Sequence, residues 1–172
     1  MYQRILVPID GSFTSDRGLR EAIDIARLTQ GRLRLMHVID ELSAARARSA
    51  YSGYATDWLD EVRKNGTKLL ENASAIAQSE GVDTDILLHD SFSTRLSDAV
   101  IHEATAWQAD LIVVGTHGRR GVGRFLMGSG AESILRNADI PVLLVRATDP
   151  PAPAVKEKPV HVSLAAGALS IE

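Results

Sequence analysis

The stretch Ala109–Asp139 reads ADLIVVGTHGRRGVGRFLMGSGAESILRNAD, and the fold turns on how it is understood. Leu111-Ile112-Val113-Val114 is an unbroken aliphatic run of the kind that forms a strand buried on both faces, and Gly115 ends it. Thr116 and His117 lead into a loop carrying Gly118, Arg119, Arg120, Gly121, Gly123 and Arg124. Past Gly128, the residues Ala131, Ile134, Leu135 and Ala138 recur at helical spacing, and Ser129-Gly130-Ala131-Glu132 has the form of a capping box, so a helix is predicted to start at Ser129. A strand, a glycine loop and a helix start, in that order, are suited to holding an anion. Glycines let backbone N–H groups come close, the first helical turn has unpaired N–H groups, and the helix dipole favours negative charge. The arginines add positive charge, so the loop is read as a phosphate site. The same residues would also suit a solvated surface loop in which Ser129 does no more than cap its helix.

Outward from this stretch the chain alternates strand and helix. Ile5-Leu6-Val7-Pro8-Ile9 reads as a buried first strand with Pro8 near its end, and Asp10-Gly11-Ser12 as a turn. A helix is predicted from about Ser15 to Gln30, with Leu19, Ala22, Ile23 and Ala26 on one face and Gly31 as its stop. Leu33 to Ile39 is the second strand, and Asp40 to Thr56, which has no clear period, a long loop. The next helix, about Asp57 to Glu80, places Leu59, Val62, Leu69, Leu70, Ala73, Ile76 and Ala77 on its apolar face and Gly66 on its polar side. Asp85 to His89 is a short third strand, and Ser93 or Thr94 is the expected cap of a helix carrying Leu96, Ala99, Val100 and Trp107. Pro141-Val142-Leu143-Leu144-Val145 follows the central stretch as the fifth strand. Five such alternations with short connections mean a parallel sheet with helices on both faces.

The whole-chain composition sets limits. At 172 residues, with 45% hydrophobic and 24% charged, the chain has the profile of one globular domain with a single core. A net charge of −3 gives no support to nucleic-acid binding, and the absence of cysteine excludes disulfides, thiol catalysis and cysteine metal ligands. No segment approaches the ~20 apolar residues of a membrane span, and the first residues lack a signal-peptide core, so a cytoplasmic location without membrane contact is expected. The domain is expected to occupy residues 1–147 and a Pro-rich linker and tail residues 148–172. The mildly apolar Val160–Ile171 fits either a disordered tail or an extended segment added to a sheet edge.

In an open parallel sheet ligands lie beyond the carboxyl ends of the strands, where strand order reverses. With the first and fourth strands as neighbours, Pro8-Ile9-Asp10 and Gly115-Thr116-His117-Gly118 would line one crevice. Asp10 could then accept hydrogen bonds from a ribose or an adenine amine, or serve only as turn former and helix cap. The Pro8-x-Asp10-Gly11-Ser12 opening, the Gly115-x2-Gly118-x9-Gly128-Ser129 spacing and the closing Pro141–Arg146 strand resemble the universal stress protein family, over about Met1 to Arg146. The resemblance implies a Rossmann-like, adenine nucleotide alpha hydrolase-like α/β fold, a five-stranded parallel open sheet in the order 3-2-1-4-5. Because the glycine spacing is complete, it further implies the family's ATP-binding branch. Pro8, Asp10 and the Val38 backbone would then hold adenine and ribose. Gly115, His117, Gly118, Arg119, Gly128 and Ser129 would surround the phosphates, with Gly130 next in line where a larger Val or Ala is usual. It also implies a homodimer, through the last strand Val142–Val145.

Rival chemistries fit less well. Gly118 to Gly123 has Walker glycine spacing, but Arg124-Phe125 stands where lysine and a hydroxyl are needed, and no dinucleotide glycine pattern follows the first strand. His37, His89, His102, His117 and His161 show no metal-ligand spacing. Magnesium could still arrive on the triphosphate. No nucleophile, base and orienting group are clustered, which argues against an enzyme, and the resemblance implies a nucleotide-dependent stress-response module. The alternative is a slow ATP-hydrolysing enzyme in which Asp10 or His117 positions the water.

Overall fold

The computed structural model describes residues 1–39, 57–90, 94–116 and 127–146. Five strands and four helices alternate along them. They are β1 (Arg4–Pro8), α1 (Phe13–Thr29), β2 (Arg32–Ile39), α2 (Asp57–Ser79), β3 (Thr84–Asp90), α3 (Leu96–Ala106), β4 (Leu111–Gly115), α4 (Ser129–Asn137) and β5 (Val142–Val145). The strands form one parallel sheet in the order β3-β2-β1-β4-β5, the order expected from the sequence. The long loop at 40–56, the glycine–arginine loop at 117–126 and the tail beyond 146 lie outside the described residues.

The strands are apolar on both sides because each faces a separate core. Ile5, Val7 and Ile9 join Leu33, Leu35, Leu111 and Val113 beneath Leu19, Ala22, Ile23 and Ala26 of α1 and Leu70, Ala73 and Ala77 of α2. On the opposite face Leu6, Met36, Val38, Ile112 and Val114 pack under Ala99, Val100 and Ala104 of α3 and Ala131 and Ile134 of α4. β1, at the centre, has Ile5, Leu6 and Val7 fully buried, which is why its alternating residues are all hydrophobic.

Several helix details differ from the sequence expectations. α1 begins two residues earlier, with Ser12 as N-cap accepting the Ser15 N–H at 3.2 Å. It ends with Gln30, not Gly31, in the left-handed region (φ 54°). Gly31 is needed for room, since a Cβ there would stand 2.5 Å from the Tyr2 carbonyl oxygen. The α3 N-cap is Arg95 rather than Ser93 or Thr94, and it makes no side-chain cap bond. The capping box at Ser129 does not form: Gly128 is the N-cap, and Glu132 pairs with Arg136 at 2.9 Å. Ile76 and Leu135, both expected on buried faces, are exposed at the margins of their helices.

Gly66 is the largest correction. It lies on the buried side of α2, where an added Cβ would come within 2.8 Å of Leu88 Cδ1 and 2.9 Å of His37 Cδ2. Hydrophobic periodicity treats glycine as neutral, so it misses a helix that uses the absence of a side chain to approach a sheet.

Candidate functional site

The carboxyl edge of the sheet is built from the ends of β1, β2 and β4. Ile9 extends β1 by giving its N–H to the Met36 carbonyl at 2.7 Å. The chain then turns sharply at Gly11, whose φ of 75° suits glycine. Asp10 shapes this turn: its Oδ1 accepts the Ser12 N–H at 2.9 Å, and its own N–H reaches Ser15 Oγ at 3.2 Å. Asp10 is therefore a turn former, while the cap is Ser12. A carboxylate has about four acceptor positions, so shaping the turn and receiving a ligand donor are compatible.

Across the β1–β4 boundary, Gly115 closes β4 against the first turn of α1. A Cβ on Gly115 would stand 2.8 Å from the Thr14 carbonyl carbon and 2.9 Å from its oxygen. Thr116 follows, buried, and links two elements through its backbone. Its N–H donates to Val145 at 2.9 Å, and its carbonyl accepts from the Gly128 N–H at 2.8 Å. That second bond sets the start of α4 at the end of β4. Two helices thus begin near this edge with opposite chemistry. α1 has a side-chain cap from Ser12, whereas the N-cap of α4 is Gly128, which has no side chain to supply one. The first N–H groups of an uncapped helix need other partners, and an anion is one that the dipole favours. Ser129 is exposed, and Gly130 sits where a Cβ would meet the flexible end of Leu96, 2.9 Å away at Cδ2.

Of the residues singled out in the sequence, Pro8, Ile9, Asp10, Gly115, Thr116, Gly128, Ser129 and Gly130 come to this edge around β1 and β4. Val38 lies one strand over, near the end of β2 and largely buried in the core beneath α3 and α4. His117, Gly118 and Arg119 lie outside the described residues. One residue was missed by the sequence reading. His37, buried to 7% exposure, places Nδ1 2.6 Å from the Ile9 carbonyl oxygen. The available signal was a lone polar residue in the apolar run Leu35-Met36-His37-Val38-Ile39. Among the described residues there is no cluster of three or more His, Cys, Asp or Glu able to hold a metal. None of their helices is long and apolar enough to cross a membrane.

A five-stranded parallel α/β sheet in the order 3-2-1-4-5, whose strand order reverses between β1 and β4, defines the class: an open, Rossmann-like α/β protein. Within that class the chain belongs to the universal stress protein family, whose model matches residues 1–146. A relative from Staphylococcus aureus (strain USA300), itself assigned to the family only provisionally, is 32% identical over 151 residues, 88% of each chain. A family member from Burkholderia pseudomallei has a solved structure that is 31% identical, with a TM-score of 0.67, covering 85% of this chain and 97% of that one. A family member from Archaeoglobus fulgidus, solved in complex with dAMP, has a TM-score of 0.60 at 23% identity, covering 84% of this chain and 98% of that one. Another, solved in complex with cAMP, has a TM-score of 0.61 at 24% identity, covering 86% and 98%. At those last two identities the likeness is one of fold.

Proposed function

We propose that this protein binds an adenine nucleotide, ATP with magnesium carried on the phosphates, at the carboxyl edge between β1 and β4, and that it acts as a nucleotide-dependent stress-response module. The observation that carries the reading is the start of α4 at Gly128, a residue with no side chain to cap it, fastened to the end of β4 by the Gly128–Thr116 bond. Pro8, Ile9, Asp10 and the Val38 backbone take adenine and ribose. Gly115, Thr116, His117, Gly118, Arg119, Gly128, Ser129 and Gly130 take the phosphates. The dAMP and cAMP complexes of family members support an adenine nucleotide over other anions. The protein pairs with a second copy through β5, whose Val142-Leu143-Leu144-Val145 carries no charge to guard an open edge.

Isothermal titration with Mg-ATP, ADP, AMP, cAMP and GTP tests the reading. Adenine nucleotides are expected to bind at about micromolar dissociation constants, roughly −8 kcal/mol, and GTP much more weakly. Gly118→Val is expected to abolish the heat. Folded, ligand-free protein that gives no heat with any of these nucleotides refutes the site. Phosphate release measured on the same samples is expected to be slow, since no base or nucleophile is grouped among the described residues.

A further inference from the structure

We propose that His37 is a positioning residue of the nucleotide site: its imidazole, seated against Gly66 of α2, holds the carboxyl end of β1 from which Asp10 departs. The proposal rests on the nucleotide reading above and names a residue that acts through the backbone rather than by touching the ligand.

The geometry is specific. A carbonyl oxygen can only accept, so the 2.6 Å contact to Ile9 requires the proton on Nδ1. Ile9 is therefore held by both of its backbone groups, and both partners are consecutive residues of β2. Its N–H goes to the Met36 carbonyl at 2.7 Å, and its carbonyl receives the His37 side chain. The next residue is Asp10, whose carboxylate orders the turn into α1. A bond from a side chain has replaced a rung of the ladder just where the strand has to stop and the site begins.

The ring is confined from the other side as well. The α2 backbone passes so close at Gly66 that an added Cβ would lie 2.9 Å from His37 Cδ2, with Leu88 Cδ1 at 2.8 Å. A leucine at position 37 would fill this space at lower desolvation cost, because burying an imidazole demands compensating hydrogen bonds. A purely structural histidine would be content with any nearby acceptor. This one is directed at the last carbonyl before Asp10.

The test uses the full chain with His37→Leu, which keeps the bulk and removes the donor, and His37→Asn, whose amide N–H can stand near Nδ1. Leu70→Ala serves as a control, since Leu70 of α2 is buried in the core cluster against which Leu88, the neighbour of Gly66, also packs. ATP titration is expected to show affinity lowered about tenfold in His37→Leu and restored to within about threefold of wild type in His37→Asn. Leu70→Ala is expected to lower the melting temperature and leave the affinity unchanged. A folded His37→Leu that binds ATP like wild type overturns the proposal, as does an asparagine variant no better than the leucine. Nitrogen-15 spectra of the imidazole give a readout independent of ligand, with a slowly exchanging proton expected on Nδ1. If wild type binds no nucleotide, the nucleotide reading fails by itself. The positioning role is then decided by the amide resonances of Asp10 to Ser12, which should shift in His37→Leu and return in His37→Asn; unchanged resonances overturn it.

Discussion

At the scale of single residues, the site edge depends on glycines used for different reasons. Gly11 supplies a backbone conformation, Gly66 lets a helix approach a sheet, and Gly115 lets β4 end against α1. The Gly115 contact is with the Thr14 backbone, which cannot rotate aside as a side-chain end could. Gly115→Val is therefore expected to destabilise the fold by about 2 kcal/mol or more, read as a lower urea midpoint. By contrast Gly130→Ala meets only the end of Leu96. The sequence showed that Gly115 ends a strand, and its spacing to Gly118 and Gly128 is the basis of the proposed ligand loop. What the spacing could not show is that Gly115 is also sterically fixed by α1. His37 and Gly66 were illegible for a similar reason. Each matters through a neighbour distant in the chain, and periodicity reports only on the element that contains the residue.

At the scale of elements, strands were legible, as were the helix starts at Asp57 and Ser129, but helix caps were not. The apolar runs at 5–9, 33–39 and 111–114 stand out because they are buried on both faces, the edge run at 142–145 stands out by its unbroken aliphatic residues, and β3 was found although shorter in prediction than in fact. Caps depend on single backbone angles, which several nearby Ser, Thr and Gly residues satisfy about equally well in sequence. Ser12 and Ser129 are the clearest contrast. Ser12→Ala removes the α1 N-cap and is expected to cost about 1 kcal/mol in chemical denaturation. Ser129 does not cap α4, so Ser129→Ala is expected to leave stability within about 0.5 kcal/mol while weakening ATP binding in titration.

The β2–β3 ladder carries an ion network that the sequence reading did not anticipate. Asp85 accepts from Arg32 at 2.6 Å and Arg34 at 2.9 Å, Arg34 also binds Glu103 at 2.7 Å, and Arg34 lies 4.6 Å over the Trp107 ring. Burial alone would raise the Asp85 pKa, but hydrogen bonds from Arg34 and Arg32 and their charges outweigh it and hold the group below its ordinary value. A carboxylate depressed in the folded state stabilises above its unfolded pKa, and that contribution is lost as pH falls through the folded value. The stability gap between wild type and Asp85→Asn is thus expected to be steady near neutrality and to shrink below about pH 4, as followed by denaturation across the acid range.

At the scale of the whole molecule, the two edges of the sheet are unlike. β3 carries Asp85 and Asp90, each in an ion pair, and such charges deter pairing with another strand. β5 offers an uncharged run with Leu143 partly exposed. Leu143→Lys is expected to convert a dimer to a monomer in analytical ultracentrifugation; a wild-type monomer refutes pairing through β5. The overall architecture was the most legible level of all, because alternating buried strands and amphipathic helices allow very few topologies. The boundary at 147 and the fate of 148–172 were not, since a Pro-rich linker followed by a short apolar stretch satisfies more than one arrangement. Thr116 lies between the two regions proposed for ligand and for partner, joined by its N–H to Val145 of β5 and by its carbonyl to Gly128 of α4. On the proposed function, occupancy and assembly are parts of one thermodynamic cycle, and Thr116 stands where the two regions meet. Whatever factor nucleotide adds to the strength of self-association, self-association must return to the affinity for nucleotide.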